Sequence, residues 1–133
     1  MKVELGTPIL VKAKIIGQKN FIKIDMVFDT GARYTTLSWA VLKAVGYDPA
    51  RIEEKTGIVT ANGVIEAPIL TLKALMIENP ENEKEFVKVD GVKVIALDIP
   101  ELVGVEGLLG LSFLNKTKTT INYKNKILGI EDP

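Results

Sequence analysis

Residues 26–38, MVFDTGARYTTLS, run from an apolar stretch straight into Asp29-Thr30-Gly31. A carboxylate at the end of a half-buried strand is costly unless something pairs with it. Asp29 is therefore either a turn former facing water or an acid held in place for proton transfer. The remaining composition narrows the chemistry. The chain has no cysteine and no histidine, which excludes disulfides, thiol nucleophiles, Ser-His and Cys-His triads and the usual zinc sites. Any catalysis must use Asp, Glu, Lys, Tyr, Ser or Thr. The acids are scattered and form no Asp/Asn/Gly loop of calcium type, so no metal and no cofactor is expected.

The elements that must position Asp29 are mostly strands. ILVKAKII (9–16) and FIKIDMVF (21–28) are β-branched or aromatic and roughly alternating, and the turn mix GQKN between them predicts a hairpin. IVTA and VIEA flank Asn62-Gly63, which readily supplies the positive φ of a type I′ turn, so 58–67 reads as a second hairpin. Strands are predicted over 69–77, 86–89 and 92–97, with NPENEKE (79–85) as a polar connector, and KTTINY and KILGI form a last pair around Lys124-Asn125. Ser38 can cap a helix in WAVLKAVG, with Leu42 and Val45 on one face and Gly46 as the stop. LSFLNK after Gly110 has room for one or two helical turns. The fold class is mainly β: a mainly antiparallel domain with one or two short helices.

At 133 residues the chain fits one domain, and a hydrophobic share of 47% is enough to build its core. Lysine plus arginine equals aspartate plus glutamate at 17 each, with no long run of one sign, so neither nucleic acid nor an anionic membrane is an expected partner. The N-terminal MKVELGTPILVKAKII carries charges every few residues and lacks an apolar stretch of signal-peptide length. The most apolar region, VIALDIPELVGVEGLLGLSFL, is broken by Asp98, Glu101 and Glu106, which argues against a membrane span. A cytoplasmic location is the default expectation.

Around Asp29 these pieces form an ordered set. An apolar strand ends in FDTGA, a helix follows, a hairpin with Asn-Gly at its tip comes about thirty residues later, and GLLGLSFL leads into a short helix. In this order the chain resembles the retropepsin-like, or retroviral-type, aspartic proteases over nearly its whole length, especially their cellular members in bacteria and archaea. FDTGA looks like their catalytic loop. VTANGVIEAP resembles the hairpin that folds over substrate as a flap. GLLGLSFL is similar to the apolar-apolar-Gly segment that braces the catalytic loop. The resemblance implies a single-lobe acid protease fold, a closed and barrel-like β domain.

It also implies a mechanism that one carboxylate cannot perform. Two acids sit together, one protonated and one ionised, because like charges about 3 Å apart cannot both ionise; this splitting is known behaviour of aspartic protease pairs. The ionised member takes a proton from a shared water and the protonated member polarises the scissile carbonyl. Asp-Thr-Gly occurs once here, so the second acid must come from a second copy, in a symmetric homodimer with the site on its axis. Asp29 is then the catalytic acid. Gly31 permits backbone geometry that a Cβ would obstruct, and its N–H can bond the carboxylate. The resemblance implies that the Thr30 hydroxyl bonds the partner's loop. The substrate would be a peptide or protein segment held as an added strand, near the small Ala32 and under the flap tip Ala61-Asn62-Gly63.

Several viral members place an aspartate after the Ala, where it contacts substrate; here the residue is Arg33. It reads either as a solvated cation or as part of a subsite that favours acidic residues or main-chain carbonyls. Trp39 reads as a core or interface anchor. Asp25, four residues before Asp29, is expected to be solvent-facing or at the rim, and the charges from Glu81 to Glu85 form a solvated turn. Two other functions fit less of this pattern. A peptide-binding or regulatory domain could retain the fold without cleaving, although a pure binder has no evident need for an intact Asp-Thr-Gly. A metal-binding β module would require acids that come together.

Overall fold

The computed structural model describes residues 1–6, 8–98 and 105–132; Glu101 lies outside them. The wall of the molecule starts with β2 (Leu10–Ile16) and β3 (Phe21–Phe28), paired antiparallel. Their turn closes where the Gly17 N–H donates to the Asn20 carbonyl at 3.0 Å. Alternation does the rest: Val11, Ala13 and Ile15 face inward from one strand, and Ile24, Met26 and Phe28 from the other, all buried.

Two long strands, β6 (Gly63–Asn79) and β7 (Asn82–Leu97), add Leu72, Leu75 and Ile77 and, opposite them, Val87, Val89, Val92 and Val94 to the same core. With β4 (Thr35–Ser38) and β8 (Gly107–Leu109) the order is β2-β3-β8-β4-β7-β6, and an antiparallel β2–β6 pairing closes six strands into a barrel. Closure removes the open edges that a flat sheet would leave. Two pairings are parallel, β3 with β8 and β4 with β7. So β8 is a short wedge between the strand before the Asp-Thr-Gly loop and the strand after it.

The first part of β6 runs beyond the barrel and pairs with β5 (Lys55–Thr60) as a projecting hairpin. Helix α1 (Trp39–Ala44) starts where the Ser38 Oγ accepts the Val41 N–H at 3.2 Å and ends at Gly46, whose φ is +99°; both caps match the sequence reading. A 3-10 turn, Pro49–Arg51, precedes the hairpin, and α2 (Leu111–Leu114) follows Gly110. A separate three-stranded sheet has the order β1-β10-β9, formed by Lys2–Glu4, Ile127–Glu131 and Lys118–Asn122.

The structure amends three expectations. The strands foreseen at 86–89 and 92–97 are one strand that passes through Gly91 at φ +66°. The connector foreseen over 79–85 shrinks to Pro80-Glu81, because pairing continues to Asn79 and resumes at Asn82. The flap-like hairpin does not turn through a type I′ pair. Its register pairs Thr60 with Gly63, and only Gly63 has positive φ, +117°. One left-handed glycine after two ordinary turn residues is the pattern of a type I turn closed by a bulge.

Leu109, fully buried and paired with Phe28, sits at the centre of the wedge. Leu109→Ala is expected to cost about 2–5 kcal/mol. The check is a lower urea midpoint with an unchanged slope at fixed protein concentration.

Candidate active site

Four backbone hydrogen bonds shape the loop after β3. The Phe28 N–H donates to the Ile9 carbonyl and the Asp29 N–H to the Leu109 carbonyl, each at 2.9 Å, which carries the strand geometry up to Asp29 itself. The Ala32 N–H then donates back to the Asp29 carbonyl at 3.3 Å, making a tight turn, and the Ala32 carbonyl accepts the Leu111 N–H at 2.8 Å. Both ends of the turn are thus tied to the β8–α2 segment.

Within the turn the Gly31 N–H donates to Asp29 Oδ1 at 2.9 Å. This fixes the carboxylate's rotamer while leaving Asp29 half-exposed. A Cβ at Gly31 would stand 3.2 Å from that same oxygen, a tight contact that the glycine avoids. Thr30 and Arg33 are exposed and Ala32 is half-buried. The Arg33 guanidinium lies 5.5 Å from the centre of the half-buried Tyr34 ring.

Behind the turn is a brace that sequence reasoning did not find. The buried Thr35 Oγ1 accepts the Gly110 N–H at 3.1 Å, and the Thr35 N–H donates to the Ser112 Oγ at 2.8 Å. Two hydroxyls thereby satisfy backbone donors that the wedge cannot pair as sheet. Gly110 fits because it lacks a side chain: a Cβ would lie 2.7 Å from the carbonyl oxygens of both Ala32 and Tyr34. The bracing role of GLLGLSFL was legible from the resemblance, but the partners of Thr35 were not. They lie 75 and 77 residues away, and no local pattern marks them.

Residues 29–33 form one contiguous loop. Ala61, Asn62 and Gly63 stand exposed at the tip of the β5–β6 hairpin, whose second strand continues into the barrel wall. The arm carries apolar pairs on both faces, Val59 opposite Val64 and Ile58 opposite Ile65. Val59 is 83% exposed and Val64 70%. At the arm's base a groove of about 940 Å3 is lined by Trp39, Pro49, Arg51, Ile52, Glu66 and Pro68, among others. Trp39 is half-buried against the core, with Lys43 over its ring.

The other acids near β3 are engaged elsewhere. Asp25 is half-buried and paired with Lys12 at 2.8 Å. Glu78, nearly buried, holds Lys23 at 3.3 Å, and that hydrogen bond raises the Lys23 ammonium above its ordinary range. Among the described residues no three His, Cys, Asp or Glu side chains gather into a metal site, and no helix is long and apolar enough to cross a membrane. What the loop offers chemically is one oriented, water-accessible carboxylate on a rigid mount.

Comparison with known proteins gives three results. Residues 11–113 match the family described as aspartyl protease. A retropepsin-like aspartic protease from Rickettsia conorii superposes with a TM-score of 0.72 at 21% identity, covering 99% of this chain and 89% of that one; the two share a fold. The simian foamy virus (mac) protease gives a TM-score of 0.48 at 20% identity over 80% of this chain and 91% of that one. No curated protein matches.

Thr35→Val keeps the shape of the brace and removes its acceptor, which leaves the buried Gly110 N–H unpaired. The expected cost is about 1–3 kcal/mol, measured by urea unfolding, with Leu37→Ile as a control for shape change in the same buried strand.

Proposed function

The chain belongs to the aspartyl protease family, and on that premise we propose that it is an endopeptidase active as a homodimer, with one Asp29 from each copy. The observation that carries the reading is the Asp29 carboxylate, oriented by the Gly31 N–H at 2.9 Å in a loop tied at both ends to β8 and α2. Asp-Thr-Gly occurs once in the sequence, so a two-acid site requires two chains. Residues 1–133 would form one protease domain.

In this reading the two carboxyls share a proton across the two-fold axis. The ionised one removes a proton from a trapped water, the protonated one donates to the oxygen of the scissile carbonyl, and the water oxygen bonds to the carbonyl carbon. Collapse of that adduct, with a proton delivered to the amide nitrogen, releases the two fragments without a covalent enzyme intermediate. Thr30 would hydrogen-bond the partner's loop. Ala32 would leave room for the substrate backbone.

The substrate would lie extended, held by main-chain hydrogen bonds with alternate side chains to opposite sides. The hairpin arm suits the role of a cover. Its tip, Ala61 to Gly63, is exposed and closed by a glycine, and Val59, Val64 and Ile65 present apolar surface that water solvates poorly. Closing over a peptide would bury that surface and exclude water from the reacting bond.

Digestion of a random peptide library tests the reading. Asp29→Asn is expected to lower cleavage by at least about 100-fold, the lower range for removing a general acid–base group, while its circular dichroism stays native. Cleavage at an equal rate in that variant removes Asp29 from the mechanism, and a wild-type chain that binds peptides without cutting them points to a binding domain. Specific activity should fall on dilution through the dimer's dissociation range; a flat value where sizing shows monomer contradicts a shared site. The rate should trace a bell against pH, set by the pair as a unit; a rate that climbs steadily into alkali rules the pair out.

A further inference from the structure

The acid loop carries a second charge, and the two do not neutralise each other. Arg33 follows Asp29 by four residues, yet among the described residues it joins no ion pair with Asp29 or with any other carboxylate. The chain has only two arginines among its 17 basic residues, and the other, Arg51, is paired with Asp48 at 3.4 Å. The backbone on either side of Arg33 is held: the Ala32 carbonyl is bonded to the Leu111 N–H, and the Tyr34 carbonyl faces the place where a Gly110 side chain would stand and accepts the Thr36 hydroxyl at 3.3 Å. The side chain is exposed and steadied over the Tyr34 ring. The result is a planar, permanently charged fork, poised on a rigid mount and open to solvent. That geometry suits a carboxylate taken from outside the chain.

Distance fixes where such a carboxylate would sit. The Ala32-to-Asp29 turn bond brings those two α-carbons within about 7 Å, and Arg33 is one residue, about 3.8 Å, further on. Along an extended peptide, side chains on one face recur roughly every 6.8 Å. A peptide whose reacting bond lies at Asp29 would therefore meet Arg33 within about three residues of that bond. From this we infer that Arg33 is a specificity residue that selects substrates with an aspartate or glutamate within about three residues of the scissile bond. In a symmetric dimer it does so on both sides. The chain's net charge is zero, so no net attraction draws acidic peptides to it, and the selection would rest on this side chain. The inference rests on the protease reading for the position of the bond, but not for the capture of the acid.

Two selections from one random peptide library separate those claims. The wild-type chain digests one portion, and immobilised Asp29→Asn captures peptides from the other. Aspartate and glutamate are expected about tenfold over asparagine and glutamine, a modest value for a charge-assisted bond. The enrichment should fall within about three residues of the cut, and at one fixed register among captured peptides. Arg33→Ala in each background should abolish it, Arg33→Lys should retain part of it, and Arg33→Glu should replace it with lysine and arginine. Raising the salt should shrink the ratio, because the contact is exposed. The same acidic enrichment with and without Arg33, or none in either selection, overturns the inference. Captured acidic peptides that are never cut would defeat the protease reading and leave Arg33 standing. Cut peptides without acidic enrichment would do the reverse.

Discussion

Where β8 runs out, backbone meets backbone. Gly110 lies so near the carbonyls of Ala32 and Tyr34 that no side chain could occupy its place. This contact lets the wedge reach both flanking strands and lets the Leu109 carbonyl and the Leu111 N–H grip the two ends of the acid loop. A hydrogen-bonded turn at the end of a strand would ordinarily fray, because its donors have water as an alternative. Here the loop is backed by a brace: the Thr35 and Ser112 hydroxyls pair the Gly110 and Thr35 N–H groups that the sheet leaves over. The orientation of Asp29 is thus a property of the core, inherited through three residues of β8.

The same economy of core divides the molecule by stability. Six strands close around Met26, Leu37, Leu72, Leu75 and Leu109, all fully buried, and local opening there costs close to global unfolding. The β5–β6 arm shares no such core. Its two strands pair with each other, and Val59, Val64 and Ile65 face water. In the proposed reading, the acid loop braced by β8 and α2 and the lightly held apolar arm of β5 and β6 would divide the labour between fixed chemistry and movable cover. Nothing beyond the burial pattern is needed to produce that contrast.

The sequence disclosed what is local and hid what is not. Strands β2 and β3, the Ser38 cap, the stop at Gly46 and the Asp29–Gly31 bond all involve near neighbours, and each could be read from residue type and spacing. Strand β4 could not: Thr35–Ser38 is buried on both faces, so it shows no alternation, and Thr-Thr-Leu-Ser reads as well for a loop. Strand β8 is three residues long and exists only because β3 and β4 stand on either side of it. The hairpin tip failed for a subtler reason. Asn62-Gly63 carries a strong type I′ signal, but the register moved the glycine one place along, so that it closes the turn instead of forming it.

The proposed division of the site between two chains would also account for the exposure of Asp29. An acid destined for a dry, shared pocket would be a liability in the core of a lone chain, where its charge would have to be buried without a partner. Asp29 is half-exposed at the end of β3, so in the proposed dimer it would stay solvated until a second copy arrived. The cost of desolvation would then fall on association, where a shared proton would offset the like-charge repulsion. The three-stranded sheet limits how that association can be made. β10 already has β1 on one side and β9 on the other, so a partner strand cannot enter between them. Of the ways in which two copies could then meet, only arrangements that bring the acid loops together would unite the two Asp29 carboxylates.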